Sequence, residues 1–359
     1  MAPQQSGDSS GFDVLSSQDK ERVTLLAAQY GVVKQAAEFY GRRPQRYSLL
    51  LDDPSQPLPA GAKRINFIRH GEGLHNVFRA AEHTAGRQPR AKRDNMQNVP
   101  EGLYDPSLTE AGRQEAMAAR PDAKACQPQL LVTSPVRRAV QTLLLAFEDS
   151  VAAGTPIMAH ELCREQFQGS DPSIYDARQG RSALASEFPM VDFESYVLPE
   201  EPSPEAGAVL EAKGGIPSAL VGVDPIWWHV DSPLGCCDGE LNIAACAEHA
   251  WGFLTWLMGR QEQEIAVATH SLFLLALYHG SLESVGGGPF PRPQIFRTGE
   301  LRTVVIAEAP APQKRAATAT LERWGAALTG SGFKAGAGSE ETGREDEVEV
   351  KGKKQRSRQ

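Results

Sequence analysis

Short apolar runs alternate with longer amphipathic stretches between about residues 62 and 308. Ile65 to Ile68, Gln129 to Thr133, Pro156 to Ala159 and Glu264 to Thr269 have strand length and little polar alternation. That is how strands buried on both faces of a parallel sheet read. Leu301 to Ile306 is a last strand. Between them the spacing predicts helices over Gly73 to Glu82, Glu110 to Arg120, the segment opened by Ser134-Pro135, Gly239 to Arg260, and Leu272 to Tyr278. Thr109 is placed to cap the second of these, and Pro135 suits a helix's first turn. The clearest helix carries Ile243, Cys246, Ala247, Ala250, Phe253, Leu254 and Leu257 on one face. Strands alternating with helices predict an α/β fold of three layers, a mostly parallel sheet with helices on both faces.

The flanks differ from this core. Residues 1–61 read as an N-terminal extension, partly disordered, with a weak apolar face over 18–46 and a proline-rich linker from Asp52 to Gly61. Residues 62–308 form one domain with a polar insertion at 83–102. A long irregular stretch at 166–236 is expected to hold short helices and act as a lid or cap. Residues 309–359 are Ala/Gly-rich, then acidic from Glu340 to Glu349 and basic from Lys351 to Arg358, which reads as a disordered low-complexity tail.

Composition narrows the functions. Of the 359 residues 41% are hydrophobic and 23% charged, ordinary for a globular protein. The net charge of −8 disfavours nucleic-acid binding, so an anionic substrate needs a local cluster of basic residues. Five cysteines at 126, 163, 236, 237 and 246 form no CxxC pair, which points to reduced thiols and not a disulfide frame or zinc site. No apolar run has membrane-spanning length, and the polar first residues lack an apolar signal core. A cytoplasmic location is expected, with oligomeric state left open. There is no H-E-x-x-H, G-x-S-x-G, G-x-G-x-x-G or Walker A motif. No cofactor and no metal are expected.

The candidate chemistry gathers where strands end. Among eight histidines, His70, His160 and His270 directly follow strand-like runs. His70 and His270 are each followed by a small residue, Gly71 or Ser271, and then a helix. Two such junctions can meet on one edge of a parallel sheet. Arg69 offers a planar fork to phosphate oxygens, Gly71 would let backbone N–H groups approach an anion, and the His70 imidazole is a competent nucleophile. Arg137 and Arg138 lie in the first turn of a helix behind a third junction.

The segments Arg69-His70-Gly71-Glu72-Gly73-x-His75-Asn76 and Asp105-Pro106-Ser107-Leu108-Thr109-x-x-Gly112 come first. Ser134-Pro135-x-x-Arg138, Glu161-Leu162-x-x-Glu165, Ala268-Thr269-His270-Ser271 and Phe296-x-x-x-Glu300-Leu301-Arg302 follow in that order. Together they resemble the histidine phosphatase superfamily, in its phosphoglycerate mutase-like branch with plant and fungal members. The resemblance covers about residues 63–306. It implies a phosphohistidine on His70, with Arg69, Arg138 and His270 holding the phosphate oxygens. Glu165 would be the general acid and base, with Glu161 as the runner-up acid. Asn76 would contact phosphate or substrate, or cap a helix instead. A departure lies at Ile174-Tyr175-Asp176-Ala177-Arg178, where the plant and fungal Pro-Cys-Asp-x-Arg element keeps only its aspartate and arginine. The expected activity is hydrolysis of a small phosphorylated substrate. The alternatives are a phosphoglycerate mutase and a non-catalytic phosphate-binding protein.

Overall fold

The structure, a computed structural model, describes residues 47–53, 55–85, 102–165, 174–197, 243–287, 290 and 294–309. The apolar face within 18–46, most of the polar insertion at 83–102, much of the expected cap at 166–236 and the charged tail lie outside the described residues.

Seven strands form one sheet: β1 (Tyr47–Leu50), β2 (Lys63–Arg69), β3 (Leu130–Thr133), β4 (Ile157–Ala159), β5 (Glu264–Thr269), β6 (Leu282–Glu283) and β7 (Leu301–Glu308). The helices are α1 (Leu74–Thr84), α2 (Glu110–Ala118), α3 (Arg120–Ala125), α4 (Arg137–Ala146), α5 (Glu148–Ala152), α6 (Arg181–Glu187), α7 (Ile243–Gly259) and α8 (Ser271–Ser281). The sheet order is β4-β3-β5-β2-β7-β1-β6. β4, β3, β5 and β2 pair in parallel, whereas β7 runs antiparallel between β2 and β1. The α/β architecture with a mostly parallel sheet is therefore as expected.

Alternate residues of the central strands feed two separate cores. Ile65, Phe67, Val132, Ile265 and Val267 pack with Phe253, Leu257 and Phe273 of α7 and α8. Ile68, Leu131, Ala266 and Ala268 pack with Val140, Leu143 and Ala146 of α4. The period of two sends successive side chains to opposite faces, and each face is covered by helices, which makes three layers.

Three local details depart from the sequence reading. The expected helix Glu110 to Arg120 stops at Ala118, and a second helix starts with Pro121 in its first turn. Proline lacks the N–H that would have continued the first helix. β1 lies before the expected domain start at 62 and inside the expected extension. Its four residues alternate buried and half-buried and lie between β7 and β6, too short a pattern to stand out. The two-residue β6 beside it was likewise not foreseen.

Candidate active site

β2 and β5 are neighbours in register, Arg69 opposite Thr269. The residues just beyond, His70 and His270, therefore emerge side by side at the carboxyl edge of the sheet. Their ring centroids are 5.1 Å apart. The His70 amide donates to Thr269 O at 2.9 Å, the Ser134 amide to Ala268 O at 2.9 Å, and the His160 amide to Thr133 O at 2.9 Å. The ladder thus runs one residue past each strand and fixes the backbone that carries the site.

His70 is 2% exposed. Its Nδ1 lies 2.7 Å from the carbonyl oxygen of Gly71. A carbonyl only accepts, so Nδ1 carries the proton and Nε2 holds the lone pair. Burial first, then the Arg138 and Arg69 cations, hold the His70 pKa well below the usual imidazole value. His70 is therefore a neutral imidazole at pH 7 with a nucleophilic nitrogen.

The His270 ring is buried beside it, with Nε2 2.8 Å from Ser134 Oγ. Burial is the largest cause, ahead of Arg138, of its strongly lowered pKa. Arg138 is fully buried in the first turn of α4; Nη1 donates to Tyr175 O at 2.6 Å and Nη2 to Asp176 Oδ1 at 3.0 Å. Asp176 sits in the short 3-10 turn Ile174–Asp176. Burial raises its pKa, opposed chiefly by Arg138. Arg69 Nη1 donates to Phe296 O at 2.7 Å.

Arg69 Nε, Arg138 Nε, His270 Nδ1 and His75 Nδ1 are buried in this cluster without a hydrogen-bond partner among the described residues. A buried polar group left unsatisfied costs on the order of 1–3 kcal/mol. An oxyanion has several acceptor positions for such donors.

Glu165 stands at the start of α8. Its Oε1 accepts from the Phe273 amide at 3.2 Å and its Oε2 from Ser271 Oγ at 3.5 Å. It is also among the carboxylates close enough to act on Arg69. The runner-up acid, Glu161, is committed elsewhere: Arg178 lies 2.8 Å from its Oε1 and Arg164 3.4 Å from its Oε2. Both its carboxylate oxygens are thus engaged inside the protein, and the arginine of the diverged element serves as its partner.

Gly71 corrects an expectation. Its N–H does not face an open anion site but donates to Thr142 Oγ1 at 3.0 Å. Its glycine identity answers a packing need, because a Cβ there would meet Gly112 O at 2.2 Å, and one on Gly112 would meet Glu72 O at 2.0 Å. The two glycines lie back to back, which lets α2 close onto the loop behind His70. Thr109 caps α2 as expected, accepting from the Gly112 amide at 3.0 Å and donating to Glu72 Oε1 at 2.7 Å. Glu72 thus supports the loop. Asn76 Oδ1 accepts from the Gly73 amide at 2.9 Å, the capping alternative. Glu300 holds Arg302 and the Arg297 amide at the sheet edge. His160, the third junction histidine, is enclosed by Tyr196, Phe253 and Trp256. Burial lowers its pKa to about 4.

The sequence reading missed His75, Arg164 and Ser134 as members of this cluster. His75 is buried with its ring centroid 5.4 Å from that of His70. Arg164 donates to Asp176 O at 2.9 Å. His75 stands in the segment Arg69 to Asn76, but its place there carries no assigned role. Arg164 is marked only by standing next to Glu165. Among the described residues no three His, Cys, Asp or Glu side chains form a metal ligand set. No helix among them is long and apolar enough to cross a membrane.

The strand-end histidines, the helix-borne arginine and the carboxylate at α8 meet at one edge of an α/β sheet, a set of donors whose chemistry suits a phosphoryl group. Among comparisons with known proteins, residues 65–172 match the model of the histidine phosphatase superfamily (branch 1). A phosphoglycerate mutase-like protein of Arabidopsis thaliana is 27% identical over 253 residues, 62% of this chain and 75% of its own length. Phosphoglycerate mutase-like protein 1 of the same plant is 25% identical over 278 residues, 68% of this chain and 82% of its own. Among solved structures, the phosphoglycerate mutase from Thermus thermophilus is 16% identical, covers 67% of this chain and 91% of its own, and has a TM-score of 0.33.

Proposed function

We propose that this protein is a phosphomonoester hydrolase that works through a phosphohistidine on His70. The observation that carries the reading is the set of unpartnered buried nitrogens, on Arg69, Arg138 and His270 among others, around a neutral His70. A phosphate monoester placed there supplies the missing acceptors.

In the first half-reaction the Nε2 lone pair of His70 forms a bond to phosphorus and the bond from phosphorus to the leaving oxygen breaks. Glu165, entering as the acid, gives its proton to that oxygen. The proton stays on Nδ1 and donates to the Gly71 carbonyl, so the phosphorylated ring keeps its orientation. Arg69, Arg138 and His270 offset the charge on the non-bridging oxygens as it builds. With Ser134 donating to Nε2 of His270, the proton of His270 sits on Nδ1 and faces the phosphate. In the second half-reaction Glu165, now a carboxylate, takes a proton from water. The new oxygen–phosphorus bond forms and the nitrogen–phosphorus bond breaks, returning the lone pair to His70. The catalytic unit in this reading is the expected domain 62–308 extended to include β1.

The mutase reading rests on the names of the Arabidopsis relatives. In it the phosphoryl returns to a hydroxyl of the substrate and not to water. A panel of small phosphomonoesters assayed for inorganic phosphate, alongside phosphoglycerate followed for isomer exchange, separates the two. Release of phosphate that is abolished in His70→Ala supports the hydrolase. Exchange without release assigns the mutase, and neither activity leaves a phosphate-binding protein.

A further inference from the structure

We infer that His75 is a further phosphate-contacting residue, its Nδ1–H donating to the phosphoryl group held between His70 and Arg138. This rests on the phosphate reading of the site. It goes beyond that reading because no motif of the resemblance gives a role to a histidine at this position.

Three observations converge. First, the ring is 4% exposed and its Nδ1 is buried without a hydrogen-bond partner among the described residues. A buried imidazole nitrogen in a folded core ordinarily finds a hydrogen bond. His160 shows the usual outcome, with Nδ1 accepting from the Leu162 amide at 3.1 Å.

Second, a gap has been left for the His75 ring. A Cβ built on Gly73 would meet His75 Nδ1 at 2.7 Å, His75 Cε1 at 2.8 Å and Arg138 Cδ at 3.5 Å. The space above Gly73 is therefore bounded by the Nδ1 edge of His75 and by the side chain of Arg138, itself a proposed phosphate ligand. Any side chain at 73 displaces one of them.

Third, the ring is held from its other side. It stacks on Tyr175 with centroids 5.5 Å apart and planes 28° from parallel. The carbonyl of Tyr175 accepts from Arg138 Nη1 at 2.6 Å. One residue thus positions both the imidazole and the guanidinium. An imidazole so placed offers an anion a rigid donor with little ordering cost at the moment of binding.

Burial, then Arg138 and His70, hold the His75 pKa well below its usual value. The resting ring is neutral and carries one N–H. Placing that hydrogen on Nδ1 gives the phosphate its donor, and the ring does not add a resident charge that would repel Arg138.

The test uses the full chain and inorganic phosphate as the probe. Phosphate affinity is measured by calorimetry for the wild type, His75→Phe and His75→Asn. Phenylalanine keeps the stacking surface without nitrogen, whereas the asparagine amide nitrogen stands near the place of Nδ1. A hydrogen bond to a charged group predicts at least about a tenfold loss of affinity in His75→Phe. His75→Asn should recover part of that loss. In parallel, the wild type with nitrogen-15 histidine is titrated with phosphate, and the His75 Nδ1 resonance should shift on saturation. The inference is overturned if His75→Phe binds phosphate as tightly as the wild type, or if that resonance stays in place while phosphate saturates the site. The resonance decides the matter even if a variant fails to fold. A wild type that binds no phosphate defeats the phosphate reading itself, a different result from a wild type that binds through His70 and Arg138 alone.

Discussion

The Nδ1 of His70 and the carbonyl of its own neighbour Gly71 stand 2.7 Å apart, and this one contact sets which nitrogen of the imidazole is free. With burial and two arginines keeping the ring neutral, His70 does not lose its lone pair near the usual imidazole pKa. The expected outcome is a pre-steady-state phosphorylation rate with no acid limb near pH 6.5. Stopped-flow measurement with a chromogenic phosphomonoester between pH 5 and 8 checks it, and a titration of that rate centred near 6.5 would show a charged resting His70.

Stability should depend on pH in the same range, in a defined direction. Burial lowers the pKa of His160 to about 4 and of His279 to about 3. His70, His75 and His270 are lowered as well. In the unfolded chain these groups take up protons near 6.5, so below that value the unfolded state holds more protons than the folded one. The histidine contribution is full above pH 6.5 and is lost as pH falls towards 4 and 3. Asp105 and Asp176, raised by burial, act in the opposite direction and offset part of the slope. Each buried histidine contributes on the order of 1.4 kcal/mol per pH unit within its window. Urea unfolding at pH 7.5 and pH 5 should therefore give the higher stability at pH 7.5. Equal values would mean that these rings are protonated in the folded protein.

The two neighbouring carboxylates should separate cleanly. Glu161→Gln leaves Arg178 and Arg164 facing a neutral group inside the protein, and breaking such a buried pair costs about 3–5 kcal/mol. The melting transition should drop accordingly, while turnover per folded molecule stays within a few fold. Glu165→Gln should do the reverse. It should lose most turnover on poor leaving groups and much less on nitrophenyl phosphates, which need no proton. Loss of equal size across leaving groups would remove Glu165 from the role of acid.

Gly71→Ala places a methyl where the backbone of Gly112 already stands. Overpacking of this kind costs typically about 1–3 kcal/mol. Because the clash lies one residue from His70, both denaturation midpoint and turnover should fall. Gly112→Ala should reproduce the effect, and the double variant should cost less than the sum of the two. Additive losses would show that the two glycines do not share one contact.

Most of this site was legible because it sits at the ends of strands that are apolar throughout. His70 and His270 could be paired from sequence because each ended such a run. The structure adds that β2 and β5 are adjacent, which a list of strands does not state. Arg138 was placed by the spacing from the serine-proline turn. Gly71 was read for the wrong reason, since its constraint comes from Gly112, about forty residues away, and local pattern does not carry long-range packing. Glu161 stood as runner-up to Glu165, and the structure adds that Arg178, part of a diverged segment, pairs with Glu161. β1 escaped notice for a related reason: four residues with a serine among them are a strand only because β7 and β6 lie on either side.

That pairing has a consequence for how the chain is made. β7, near the carboxyl end of the described residues, completes the sheet between β2 and β1, and β5 supplies His270 only after some two hundred residues separate it from His70. A nascent chain emerging amino end first therefore exposes the edges of β1 and β2 through most of synthesis, and such edges are where chains associate wrongly. Ribosome-bound chains stalled before residue 264 should bind no phosphate and resist proteolysis poorly, and both properties should appear together once β7 has emerged. The protein's chemistry would then begin only when its sheet has closed.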